Sequence, residues 1–176
     1  ISLATLSSPD EEPQYGDSFP CEIRVHGGSS RDLPKLSWRI ILETNHEDLA
    51  WGDRHMILRA EYNDLSMMRN VLSLELFRQQ TTLPVSRWRY VWLKVNDEDQ
   101  GLHLQVERMT EPFLERWGRD PTQVRYEADP LSSSTLTGAS ALVPLNNLQE
   151  YWNAYELKGG ASYAPLIDFI ENILLP

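Results

Sequence analysis

Residues 24–41 read RVHGGSSRDLPKLSWRII, and the division of this stretch decides the fold. Ile23 and Val25 alternate with charged residues and stop at Gly27-Gly28, and a second apolar run extends from Leu36 to Leu42. Such punctuation predicts two strands joined by a Gly/Ser turn. Paired glycines let the backbone take positive φ and turn N–H groups toward a ligand. Ser29 and Ser30 add hydroxyls, while Arg31, Lys35 and Arg39 add positive charge. Residues of this kind suit a phosphate-facing edge, but taken alone they read first as an ordinary hairpin loop. Neither G-x-x-x-x-G-K-[ST] nor G-x-G-x-x-G occurs in the chain.

Outward from this hairpin, residues 1–6 are expected to form a first strand, and 7–15, with its prolines and acids, a loop. Residues 44–54 should leave the sheet as a loop or short helical turn, and 56–62 return as an extended segment. From 65 to 80 the period becomes helical, with Asn63-Asp64 as a cap. Leu65, Met68, Leu72 and Leu76 form one stripe of that helix, and Glu75 falls within it. Strands follow at 87–95 and 102–106 around an acidic hairpin loop, then a short helix at 110–117 and an extended segment at 124–128. Residues 130–140 are rich in Ser, Thr and Gly and read as a flexible loop; 145–157 and 164–175 read as helices separated by Gly159-Gly160. The layout is α+β, with an antiparallel sheet of about five strands, one helix packed on it and helices at the C-terminal end.

Composition removes several classes of function. The chain has 176 residues and a formal net charge of −10, which argues against a nucleic-acid surface, because phosphate backbones require a basic footprint. No apolar run approaches the ~20 residues needed to span a bilayer. The chain opens at Ile1 with neither a basic n-region nor an apolar h-region, which reads as a mature or trimmed chain. Cys21 is alone, so no internal disulfide forms. The four histidines lack H-x-x-x-H spacing and no C-x-x-C or G-x-S-x-G occurs, so neither a metal site nor a serine nucleophile is supported. The six tryptophans suit carbohydrate stacking or core packing, and their positions within expected strands and helices favour packing.

Two charged residues stand out among apolar neighbours. On an alternating strand Ser37, Arg39 and Ile41 share one face, so Arg39 needs an anionic partner or a path to water. Glu75 on its helix stripe is costly to bury unless paired. Each could be a solvated or structural group, or part of a ligand site.

Beyond these residues, the chain resembles the spore-coat protein H (CotH) kinase family. His26-Gly27-Gly28-Ser29-Ser30-Arg31 and Pro34-Lys35-Leu36-Ser37-Trp38-Arg39 are similar to the family's R-G-N-S-S-R-x-x-P-K-K-S-[YFW]-[RK], departing at His26, Gly28 and Leu36. Tyr62-Asn63-Asp64 matches Y-N-D, and residues 68–76 (MRNVLSLEL) are similar to M-R-N-x-L-x-x-E-L. Residues 101–108 (GLHLQVER) look like G-x-Y-L-L-x-E-R with departures at His103 and Gln105, while YELK at 155–158 and LIDFI at 166–170 resemble two later blocks.

The resemblance implies a protein-kinase-like small lobe over 1–108, followed by a crossover and the incomplete start of a helical lobe over 109–176. It implies ATP as ligand, with Ser29, Ser30, Arg31, Lys35 and Arg39 toward the phosphates. Glu75 would fix Arg39 or Lys35, and Glu107 would lie beside an adenine slot; a strand-end ion pair is the other reading of Glu107. Mg²⁺ and the catalytic acids would belong to a later part of the parent protein, leaving this chain alone without activity. The parent would transfer phosphate to Ser or Thr of proteins in a secreted, cell-surface or spore-associated setting. A non-catalytic binding or structural domain with the same fold is the rival class, and a carbohydrate-binding module a third.

Overall fold

The structure, a computed structural model, describes residues 2–5, 16, 19–128 and 144–174. The expected loops at 7–15 and 130–140 lie outside the described residues. Two compact units are present, Ile1–Gly118 and Arg119–Pro176. The first unit thus includes the short helix that follows Arg108.

The first unit is built on six antiparallel strands: β1 Ser2–Thr5, β2 Cys21–His26, β3 Ser37–Leu42, β4 His55–Arg59, β5 Trp88–Val95 and β6 Glu98–Val106, in the order β1-β5-β6-β4-β3-β2. Residues 24–41 divide as expected. β2 and β3 pair from Cys21↔Leu42 to His26↔Ser37, and between them Ser29–Asp32 forms a single 3₁₀ turn. Gly27 holds φ at 109°, and a Cβ there would stand 2.1 Å from the Ser30 hydroxyl, so the turn requires glycine. The acidic hairpin is tighter than the spacing suggests. Asn96 and Asp97, both at positive φ, make a two-residue turn, and β6 begins at once with Glu98 opposite Val95.

Alternation sends Ile40, Leu42, Met56, Leu58, Val91 and Leu93 to one face, where they form the buried core with Ala50. Each large apolar side chain so buried is worth roughly 1.5–3 kcal/mol before entropy is charged. Gln105, buried on that face, donates to the Leu49 carbonyl at 2.6 Å, and Arg89 donates to both Gln105 Oε1 and Leu49 O at 2.8 Å. These bonds tie the one-turn helix α1 (Glu47–Ala50) to the sheet and satisfy polar groups that water cannot reach.

The helix α2 runs Arg69–Gln80, and residues 65–68 form a turn before it. Asp64 accepts the Arg69 N–H at 2.8 Å and the Ser66 hydroxyl at 2.7 Å, as expected of a capping acid. The expected packing of the Leu65, Met68, Leu72, Leu76 stripe does not occur. Leu72 is 57% and Leu76 60% exposed; Val71 is the buried residue of the helix. The short helix α3 (Glu111–Arg116), with Pro112 in its first turn, closes the unit.

The second unit holds β7 (Arg125–Ala128), α4 (Leu148–Ala154), β8 (Tyr155–Gly159) and α5 (Ala164–Asp168), which continues as a π-helical turn, Phe169–Leu174. Residues 155–157, expected to be helical, are instead strand, paired with β7 from Ala128↔Tyr155. Leu166 and Ile170 find their cover within this unit, against Tyr151, Ala154 and Tyr155. Among the described residues no helix is long and apolar enough to cross a membrane.

Candidate functional site

Opposite the core, the first unit's sheet carries charge. Register and alternation place Arg24, His26, Ser37, Arg39, His55 and Arg59 on one face of β2, β3 and β4. Beside it, a cavity of about 360 Å³ opens between the Gly/Ser turn and the loop that leads into α2. His26, Gly27, Ser30 and Lys35 form one wall; Arg59, Glu61, Asp64 and Asn70 form the other.

Local structure explains each placement. Ser37 Oγ accepts the Ala60 N–H at 2.9 Å, which ends β4 and turns the chain away from the sheet. Lys35, in the turn before β3, reaches across to donate to the Leu102 carbonyl on β6. Glu61 stands at φ 49° and directs its carboxylate to Arg59 Nε and Asn70 Nδ2, both at 2.6 Å.

The electrostatics are those of an anion site in an acidic protein. Burial, then the charges of Arg39, Arg59, Arg108 and Arg31, push the His26 imidazole below its ordinary pKa. Burial also lowers the Lys35 ammonium, against the opposing pull of Glu61. Two donors converge on a single acceptor nearby: His55 Nδ1 lies 3.2 Å from an Arg39 nitrogen and 2.7 Å from Arg108. An imidazole that accepts from two guanidiniums must be neutral, in keeping with a pKa lowered by burial and then by Arg108 and Arg39. Arg108 also pairs with Asp53 at 3.0 Å, and the Thr110 hydroxyl donates to the same carboxylate at 2.9 Å. Burial alone would raise Asp53, but these bonds and the His55 and Arg54 N–H groups hold it low.

An anionic group fits these residues. Arg39 Nε is buried and has no hydrogen-bond partner among the described residues, so a donor points where only an added acceptor would satisfy it. Gly27 leaves open the space that a Cβ would fill beside Ser30. Arg31 is turned back onto its own loop, donating to the Gly27 carbonyl at 2.5 Å, and Ser29 opens the 3₁₀ turn.

Two residues read from the sequence stand elsewhere. Glu75 accepts the indole N–H of Trp88 at 2.8 Å and pairs with Arg78 on its own helix, not with Arg39 or Lys35. Arg39, Ile57, Val106 and Trp88 form one cross-strand row, so Glu75 is anchored three strand spacings, roughly 14 Å, from Arg39. Glu107 is buried in a double ion pair, 2.8 Å from Arg87 and 2.5 Å from Arg116, and its carboxylate also accepts the Arg87 N–H.

Sequence reasoning missed Arg59, Glu61, Asp53 and His55. Arg59 had a signal available, since it continues the alternation begun at His55 and Ile57 onto the charged face. Glu61 had none, because its position follows from a left-handed backbone between two elements. Among the described residues no group of three or more His, Cys, Asp or Glu side chains is placed to hold a metal ion.

Comparison with known proteins places this geometry in context. The family described as CotH kinase protein matches residues 23–173. Inner spore coat protein H of Bacillus subtilis (strain 168) is 33% identical over 93 residues, which are 53% of this chain and 25% of that protein. The chain therefore spans about a quarter of the length of that relative.

Proposed function

The chain belongs to the CotH kinase protein family, and from that premise we propose that it binds the phosphates of ATP on the charged face of its sheet. The observation that carries the reading is the pair Arg39 and Arg59 on one sheet face, with Lys35 and Arg59 lining the cavity beside it and the buried Arg39 Nε unsatisfied. Lys35 and Arg39 hold phosphate oxygens through charge-assisted bonds, and Ser30 with the Gly27-Gly28 backbone closes over them. His26, neutral within its ring of arginines, adds a hydrogen bond without adding charge.

In the parent protein the bound nucleotide would supply a γ-phosphoryl group to a Ser or Thr hydroxyl of a protein acceptor. Such transfer requires Mg²⁺ and an acid that orients the hydroxyl, roles for which this face offers cations instead. The likeness to a spore coat protein supports a spore-associated setting. A non-catalytic domain of the same fold is the second reading, favoured by the departures at His26, Gly28 and Leu36. A carbohydrate-binding module has less support: of the six tryptophans, only Trp152 is exposed.

Calorimetric titration with Mg-ATP separates these readings. Arg39→Ala and Lys35→Ala should each weaken binding by about tenfold, the value of one charge-assisted bond of ~1.5 kcal/mol. Variants that bind as tightly as the wild type would favour the non-catalytic reading.

A further inference from the structure

We propose that Glu61 is the carboxylate that positions the cations of this site, the role that sequence pattern assigns to Glu75. The inference rests on the phosphate-binding reading and adds to it a residue that orients the ligand's partners without touching the ligand.

The geometry singles out Glu61. Its side chain is 7% exposed, at the junction where β4 ends and the approach to α2 begins. Its backbone stands in the left-handed region, which is unfavourable for a residue with a Cβ and persists only where the surroundings enforce it. Three bonds enforce it here: Arg59 Nε and Asn70 Nδ2 donate to the two carboxylate oxygens, and the Glu61 carbonyl accepts the Asp64 N–H at 2.9 Å. One carboxylate thus joins the last residue of β4 to the first turn of α2.

Its charge also reaches Lys35 across the cavity, where it opposes the effect of burial on the ammonium. Lys35 lines that cavity with Arg59, Arg69 and His26 and donates to the Leu102 carbonyl, and its partial burial lowers its pKa. Asp64 faces the same cavity but is committed to Ser66 and to the Arg69 N–H, and His103, buried on β6, feels Lys35 as a repelling charge. Glu61 is accordingly the acid left to keep Lys35 charged. Glu75 lines a different cavity, with Trp51, Arg87, Trp88 and Arg116.

The test follows the lysine itself. In ligand-free protein, the Lys35 side chain is titrated by NMR through its Cε and Nζ signals in wild type, Glu61→Gln, Glu61→Asp and Glu75→Gln. Glu61→Gln should lower the Lys35 pKa, Glu61→Asp should restore much of it, and Glu75→Gln should leave it in place. A parallel titration with inorganic tripolyphosphate should show the alkaline limb of binding moving to lower pH in Glu61→Gln alone. Circular dichroism checks that each variant is folded, and Glu61→Asn, neutral and tolerant of a left-handed backbone, carries the test with the same expected fall if the glutamine variant is not. A Lys35 titration that is the same in Glu61→Gln and wild type would overturn the proposal. If Lys35 shifts as expected but the wild type binds no tripolyphosphate, Glu61 stands as its partner and the phosphate reading fails.

Discussion

The Glu75 carboxylate accepts the indole N–H of Trp88 at 2.8 Å, so the glutamate of α2 is spent on docking the helix to β5. Tyr90 adds a second tie, donating its hydroxyl to the Met67 carbonyl at 2.7 Å just before the helix begins. Trp88 and Tyr90 also meet edge to face, with ring centroids 5.6 Å apart.

Removing that carboxylate should therefore weaken the attachment of α2. Glu75→Ala is expected to lower the thermal midpoint and to shift tryptophan emission toward that of a wetter indole. Emission unchanged from wild type would show that Trp88 does not depend on Glu75.

Gly27 carries the turn that faces the cavity. At φ 109° any L side chain is strained, and a Cβ would displace the Ser30 hydroxyl. Gly27→Ala should cost about 1–3 kcal/mol, read from the midpoint of urea unfolding with an unchanged slope. A midpoint equal to that of the wild type would mean that the turn is free to adopt another conformation.

Glu107 is a heavily committed carboxylate of the first unit, bonded to Arg87 and Arg116. Its truncation strands the Arg87 and Arg116 guanidiniums against each other, and Arg116 also donates to the Val85 carbonyl. Glu107→Ala should destabilise by about 3–5 kcal/mol in denaturant unfolding, the usual result when one member of a buried ion pair is removed. A loss under about 1 kcal/mol, typical of surface pairs, would show that water already screens the cluster.

His103 should make the fold sensitive to acid. Its buried ring lies 3.0 Å from the Gly101 carbonyl and 3.1 Å from that of Leu36, two acceptors that favour the protonated ring, but burial outweighs them and lowers its pKa below the ordinary 6.5. The unfolded chain then binds the proton first, so stability is complete above about pH 6.5 and falls as pH drops toward the folded-state value. Melting curves from pH 8 to pH 5 should show this decline, and His103→Gln should flatten it. A slope that persists in the variant would assign the acid sensitivity to other groups.

How much of this was legible beforehand varies with the physics of each element. The hairpin at 24–41 was, because its glycines and its period-two alternation are local properties of adjacent residues. So was the capping acid Asp64. The Arg39–Glu75 pairing was not, since a helix stripe specifies which residues share a face but not which strand that face meets. Trp88, three strands from Arg39, took the bond instead. Residues 155–157 were misread as helix because Tyr155 and Leu157 suit either period, and pairing with Tyr126 and Ala128 settled the matter. His103 and Gln105 stood out as departures from the resembled pattern, and the structure spends both on backbone carbonyls under the sheet.

The exposed side of α2 carries a consequence for how the molecule breathes. Val71 is its one fully buried residue and Leu74 is half-buried, while Leu72, Leu76 and Phe77 face water and polar ties hold the helix at Asp64, Asn70 and Glu75. A segment with so little apolar area to re-expose can detach without disturbing the β2–β6 core, and it opens at a free energy well below that of global unfolding. Amide hydrogen exchange should resolve it as a separate cooperative unit, its N–H groups exchanging together and faster than those of Ile40, Leu58 and Val91. Opening of the helix ahead of the sheet is thus the order expected within this one unit.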